Sequence, residues 1–287
     1  PGHRVLPCSA RTHPRPRDLT PAPQSAPPTV RPRRRRDRWP QEHPSPALPT
    51  GQKAPLVTHA PERQPGGMET YPAPPQLPLV LTCNGPPPLM HHPVRVAHGL
   101  YADLSRGGVE PWKAAQQLSL ARCSAACMQA PSALALSHES AALVHGLWVR
   151  HHEPDISLVM PFHPRRSRML LPPAPGGRGR VFLRRHRLCL ERKDITAVSG
   201  LPVTTVLRTA MDCAFDLPAR EAICVVDSAV RSLARPSRFH PEDSEQRMDA
   251  VRRRLEQMVA AQGPRRGARR ARAVLRITSG LAESPGE

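Results

Sequence analysis

Four groupings of side chains in this 287-residue sequence are of a type that could do chemistry. His138 and His145 lie within one short segment, and histidine is the commonest general base. No Ser/Asp or Cys/His arrangement surrounds them in sequence. His138 therefore reads as a capping or packing residue, and His145 as a helix C-terminal residue whose cationic form the dipole favours. Cys123 and Cys127 are four apart, so they share a helix face and could offer two metal ligands. The only further ligands at hand are those two histidines, at a spacing that matches no zinc pattern. The cysteines read as packing residues, and no metal is expected.

Arg208 and Asp212 are also four apart and can pair on a helix. An exposed pair of that kind contributes only roughly 0.3–0.5 kcal/mol. The preferred reading is a buried arginine fork that ties the helix to a strand carbonyl or to Asp227. Finally, arginines cluster at 165, 166, 184 and 185, and again at 269 and 270. Arg165, Arg166, Arg184, Arg185, Arg269 and Arg270 are the candidates for phosphate contact. No residue reads as catalytic, and no cofactor is implied.

These groups must be positioned by elements that the pattern supplies. Gly200 permits a positive φ, and Leu201 to Val203 is a short apolar strand in which Pro202 marks an edge or an exit. Thr204 or Thr205 then caps a helix running to about Asp216, with Leu207, Ala210, Met211 and Ala214 as its apolar stripe. A second helix runs from Ala219 to about Leu233, with Ala222, Ile223, Val226, Ala229, Val230 and Leu233 inward. Upstream, Ser137 is a natural N-cap with Glu139 in the first turn, and Gly146 ends that helix. Glu110 to Gln129 forms a helix with Pro111 at its start and a stripe of Ala114, Leu118, Ala121 and Ala125. Strands are expected at 156–160, 181–185, 188–190 and 195–198, separated by loops at 161–168 and 171–180. The alternation over 94–102 reads as one strand closing on Gly99. In the tail, 242–277, Leu255, Met258 and Val259 form one stripe and Ala271, Val274 and Leu275 another, broken by Gly263-Pro264.

Two of these segments carry a resemblance. Leu136-Ser137-His138-Glu139-Ser140-Ala141-Ala142-Leu143-Val144-His145-Gly146-Leu147 and Val198-Ser199-Gly200-Leu201-Pro202-Val203-Thr204-Thr205-Val206-Leu207-Arg208-Thr209-Ala210-Met211-Asp212 are similar to the AbiEi-type antitoxins of type IV toxin–antitoxin systems, in their actinobacterial branch. The resemblance covers roughly 94–285. It implies a regulatory, non-enzymatic antitoxin-like protein whose partner is a nucleotidyltransferase-like toxin. Ser137, His138, Gly200, Thr205, Arg208 and Asp212 would be its structural or partner-binding motif. It also implies that Arg95–Tyr101 is a remnant of the wing of a winged helix, whose recognition helix has no counterpart in the Pro-rich stretch before it. DNA binding by this chain is therefore expected to be weak. In similar proteins Ala282-Glu283-Ser284-Pro285 leads into a nuclease-like domain related to very-short-patch-repair endonucleases. The alternative reading is a truncated member of that DNA-processing family, inactive for lack of the domain.

Composition sets the limits. Of 38 prolines, 23 precede His91, which excludes long helices and central strands there. The expected division is a disordered Pro/Arg-rich region at 1–93, an antitoxin-like domain at 94–240 and a basic helical extension at 241–287. The fold class follows from the order helices, strands, helices: α+β, with a small, mostly antiparallel sheet flanked by helices. Net charge is +19, a balance that attracts nucleic acid, although an arginine excess also arises from GC-rich coding. Seven cysteines without framework spacing fit a reducing, cytoplasmic setting, and no apolar run approaches a membrane span.

Overall fold

In the computed structural model, residues 74–83, 85–87, 90–104, 110–174 and 179–282 are described. Most of the region expected to be disordered lies outside the described residues. Order begins earlier than position 94, however. β1 (Val80–Thr82), β2 (Pro93–Ala97) and β3 (Leu100–Asp103) form an antiparallel sheet in the order β1-β3-β2. The single strand expected over 94–102 is thus a hairpin. Gly99, at φ +68°, makes the turn that a continuous strand could not. Among the described residues before Pro93 there is no helix.

α1 (Pro111–Gln129) packs on this sheet through Leu118, Ala121 and Ala125, which meet Val94, Val96 and Ala102. Leu120, Cys123 and Ala126 on its other side join the main core. Small side chains on both faces let the helix sit between two layers, as a helix buried nearly all round must.

The second sheet has the order β6-β7-β5-β4-β9-β8. Its strands are β4 (Ala135–Leu136), β5 (Ile156–Val159), β6 (Arg168–Leu170), β7 (Phe182–His186), β8 (Ile195–Val198) and β9 (Leu201–Thr204). β4/β5, β6/β7 and β8/β9 are antiparallel, whereas β4/β9 and β5/β7 are parallel. With the first sheet, the α+β class and the mostly antiparallel pairing hold. Three details differ from expectation. β9 lies between two partners and is not an edge; Pro202 is tolerated because two-residue β4 meets β9 only at Leu136↔Val203. Arg168–Leu170 is a strand, in the gap between the loops expected at 161–168 and 171–180 and overlapping them only at Arg168. Residues 188–190 are not a strand, and their backbone instead leads into a 3₁₀ turn at Arg192–Asp194.

α2 (His138–Val144) follows β4 directly, and every one of its residues is buried. α3 (Val206–Asp216) and α4 (Ala219–Ala234) pack against each other, with α2 and α6 (Ala268–Ile277) as further neighbours of α3. α2 packs against both β5 and α3. Met211, Ala214 and Phe215 fill the core with Leu136, Leu143 and Val203. Leu233, expected inward, is 40% exposed in the last turn of α4, where the neighbouring Ala234 is buried instead. α5 (Pro241–Ala261) and α6 come from the segment expected to be an extension, and they insert Met248, Leu255, Val259, Ala271 and Val274 into the same core. The segment after α6 is fastened by Asp227 on α4, whose Oδ1 accepts from the Ser279 and Gly280 amides at 2.8 and 2.7 Å. Among the described residues no helix is long and apolar enough to cross a membrane.

Candidate functional site

The two motif segments meet. Ser199 and Gly200, at φ +49° and +81°, make the two-residue turn of the β8–β9 hairpin, the geometry that primed turns require. Thr205 is the N-cap of α3, accepting from the Arg208 amide. One turn on, Arg208 Nε donates to Asp212 at 2.9 Å, and Nη1 donates to Asp194 at 2.9 Å and to the Cys189 carbonyl at 3.1 Å. The fork expected from sequence is present and it does reach a backbone carbonyl. Its second anchor is Asp194, not Asp227. From the other segment, the His145 Nε2–H donates to the Thr204 carbonyl at 2.7 Å, locking α2 to β9. Burial lowers the His145 pKa, so the ring is held neutral and the cationic form expected from the dipole does not prevail.

Ser137 occupies the N-cap position of α2 but makes no capping bond. Its Oγ lies 2.9 Å from His138 Nδ1, while His138 Nε2 lies 3.2 Å from Asp216 Oδ2. Serine, histidine and aspartate are thus linked in series, an arrangement that sequence did not reveal because Asp216 lies on another helix. It is not a nucleophilic triad: Ser137 is 0% exposed, so no substrate carbonyl can reach Oγ. The series instead fixes the imidazole, whose backbone is at φ +52°.

That imidazole forms one wall of a cleft of about 460 Å³. The cleft draws on the start of α2, the approach to β5, β7, the end of α3 and the start of α4. Five carboxylates line it: Glu139, Glu153, Asp155, Asp216 and Glu221. Four have basic partners. Arg122 holds Glu153 at 3.1 Å, Arg184 holds Asp155 at 2.5 Å, His138 and Arg265 hold Asp216, and His151 holds Glu221 at 3.2 Å. Burial alone would raise the Asp216 pKa; the hydrogen bond and charge of His138, with Arg265, reverse this and leave it lowered. Among the described residues Glu139 has no such partner. It is 9% exposed and its Oε1 has no hydrogen-bond partner, and burial, with Glu221 adding to it, raises its pKa to about 7. His186, whose ring stacks on His138 at 4.8 Å, has a buried Nε2 that is likewise unpartnered. Burial, then the His138 charge, lowers its pKa to about 4. Sequence alone does not single out His186, Asp155 and Glu221, because they come together only in the fold.

The six arginines expected to contact nucleic acid do not form one face. Arg165, Arg166 and Arg185 line a groove of about 570 Å³ beside Phe162, whose ring is 52% exposed. Arg184 points to the opposite side of β7, as strand alternation requires, and is held by Asp155 in the cleft. Arg269 and Arg270 lie at a third hollow on α6, where Arg270 donates to the Phe215 carbonyl and so is committed to the core. Cys123 and Cys127 are free thiols whose pKa burial raises to about 12 and about 11. Among the described residues no group of three or more His, Cys, Asp or Glu is arranged to hold a metal ion.

Comparison with protein-family models, with curated proteins and with solved structures found no match.

Proposed function

We propose that this chain is a cytoplasmic regulatory binding protein of the antitoxin kind, acting by contact with a nucleotidyltransferase-like toxin and without turnover. The observation that carries the reading is where the motif side chains go. Arg208, Asp212, Thr205, Ser137 and His145 are spent on neighbouring side chains and on backbone, so the motif builds a scaffold. The same scaffold carries the groove of Arg165, Arg166 and Arg185, which suits weak contact with DNA phosphates.

The test is fluorescence anisotropy of the full chain with a short labelled duplex between about 50 and 200 mM salt. Binding is expected to be weak and steeply salt-dependent. Changing Arg165, Arg166 and Arg185 together to Gln should reduce the slope of log K against log salt by about 2.7, at roughly 0.9 per phosphate contact. An unchanged slope removes the groove from the reading. Divalent-ion-dependent cleavage of the duplex by the purified chain overturns the non-enzymatic reading itself.

A further inference from the structure

We infer that the cleft between α2, β7 and the α3–α4 junction is a binding site for a guanidinium group, with Glu139 as its anionic acceptor.

The argument begins with what the cleft leaves unfinished. A buried carboxylate without a partner is unfavourable unless something neutralises it or bonds to it. Every other acid lining this cleft has its arginine or histidine, while among the described residues Glu139 has none. His186 also lines this cleft, its ring 4.8 Å from that of His138. The buried Nε2 of His186 has no partner among the described residues.

The ligand that completes the Glu139 carboxylate is constrained. An anion is excluded by the carboxylate lining. A metal ion lacks a set of three ligands among the described residues. An ammonium is a compact, strongly hydrated point charge without a planar face to lay on a ring. A guanidinium is planar and weakly hydrated, and it carries its donors in a fixed fork that matches a carboxylate. It also stacks on flat rings, and the His138–His186 pair provides one wall of that kind. The cleft already shows the pairing it favours, since Arg184 Nε donates to Asp155 within it.

Binding requires Glu139 ionised, so affinity should fall as pH drops below about 7. The charged groups that face Glu139 are Glu221 on α4, His151 after α2, Asp155 ahead of β5 and its neighbour His138. The control for their contribution is Glu139→Gln, which keeps the shape and removes the titrating group.

The experiment is calorimetric titration of the full chain with agmatine, with an arginine-containing tripeptide and with its lysine counterpart, at pH 8 and pH 6. Saturable binding of agmatine and the arginine tripeptide, weaker at pH 6, supports the site. Tighter binding of the tripeptide identifies the source as a partner's arginine, and tighter binding of agmatine identifies it as a free small molecule. Glu139→Gln should weaken either by about tenfold or more, the loss of one charge-assisted hydrogen bond. Equal binding of the lysine tripeptide overturns the guanidinium assignment. Absence of saturable binding, or a Glu139→Gln variant that is folded by circular dichroism and binds as before, overturns the site.

Discussion

Arg208 Nε donates to Asp212 Oδ2 at 2.9 Å, and both side chains are buried. Burial raises the Asp212 pKa, and the charges of His138 and Arg208 only partly offset it. Such a pair is worth little over a well-packed apolar substitute, yet losing one member strands the other. Arg208→Met should therefore cost about 3–5 kcal/mol. Adding Asp212→Leu should recover much of that loss. Urea unfolding of the two singles and the double completes the cycle. A double variant no more stable than Arg208→Met would mean that Asp194 and the Cys189 carbonyl, not Asp212, carry the fork.

Glycines divide by what surrounds them. At Gly200 the backbone is left-handed but a Cβ would meet nothing within 4 Å. Gly200→Ala should cost about 1–2 kcal/mol, from the backbone conformation alone. Gly280 is also left-handed, and there a Cβ would stand 2.6 Å from Val230 Cγ1 and 3.2 Å from Met248 Sδ. Gly280→Ala should cost about 2–4 kcal/mol, because overpacking adds to the same conformational penalty. Thermal melts of both variants check the order; equal losses would show that the segment after α6 moves aside.

The span from Gly200 to Asp212 is legible in sequence because each of its signals is local: a turn glycine, a cap three residues from the amide it serves, and a pair four apart. The cleft is not, because its residues run from His138 to Glu221 and meet only through the parallel β5/β7 and β4/β9 pairings. β4, with two residues, is too short to show a period. The strand expected at 188–190 fails for a different reason. Its apolar residues suit a strand, but the Cys189 carbonyl accepts from Arg208 and so turns from the sheet toward the fork. Arg184 and Arg185 could have been separated without coordinates: they are adjacent on a strand, and period two alone puts them on opposite faces.

Thiol labelling should follow burial. Cys189 is exposed, whereas Cys123 and Cys213 are fully buried and burial raises both of their pKa values. For Cys123, at about 12 against an ordinary 9, the thiolate fraction near neutral pH falls about a thousandfold. Site-resolved mass spectrometry after brief native alkylation should find Cys189 modified and Cys123 and Cys213 protected until urea is added. Native modification of Cys123 would show that α1 parts from α2 in solution.

Glu139 and His186 should impose opposite pH dependences on stability. The Glu139 carboxyl titrates near 7 when folded against an ordinary 4.5, so its contribution is full below 4.5 and is lost as pH rises through 7. His186 titrates near 4 when folded against an ordinary 6.5, so its contribution is full above 6.5 and is lost as pH falls through 4. Each contributes up to about 3 kcal/mol, since a tenfold change in proton affinity corresponds to roughly 1.4 kcal/mol. Between about pH 4.5 and 6.5 the two oppose each other, and the native chain should show little slope from this pair. Single substitutions expose what cancellation hides. Glu139→Gln should stabilise the protein at pH 8 and leave it losing stability as pH falls, with His145, lowered in the same sense, adding to that loss. His186→Gln should leave it losing stability as pH rises from about 4.5 to 7. Unfolding midpoints in urea across that range measure both. If the Glu139→Gln curve runs parallel to that of the native chain, Glu139 is ionised in the fold at neutral pH and its burial is relieved in solution.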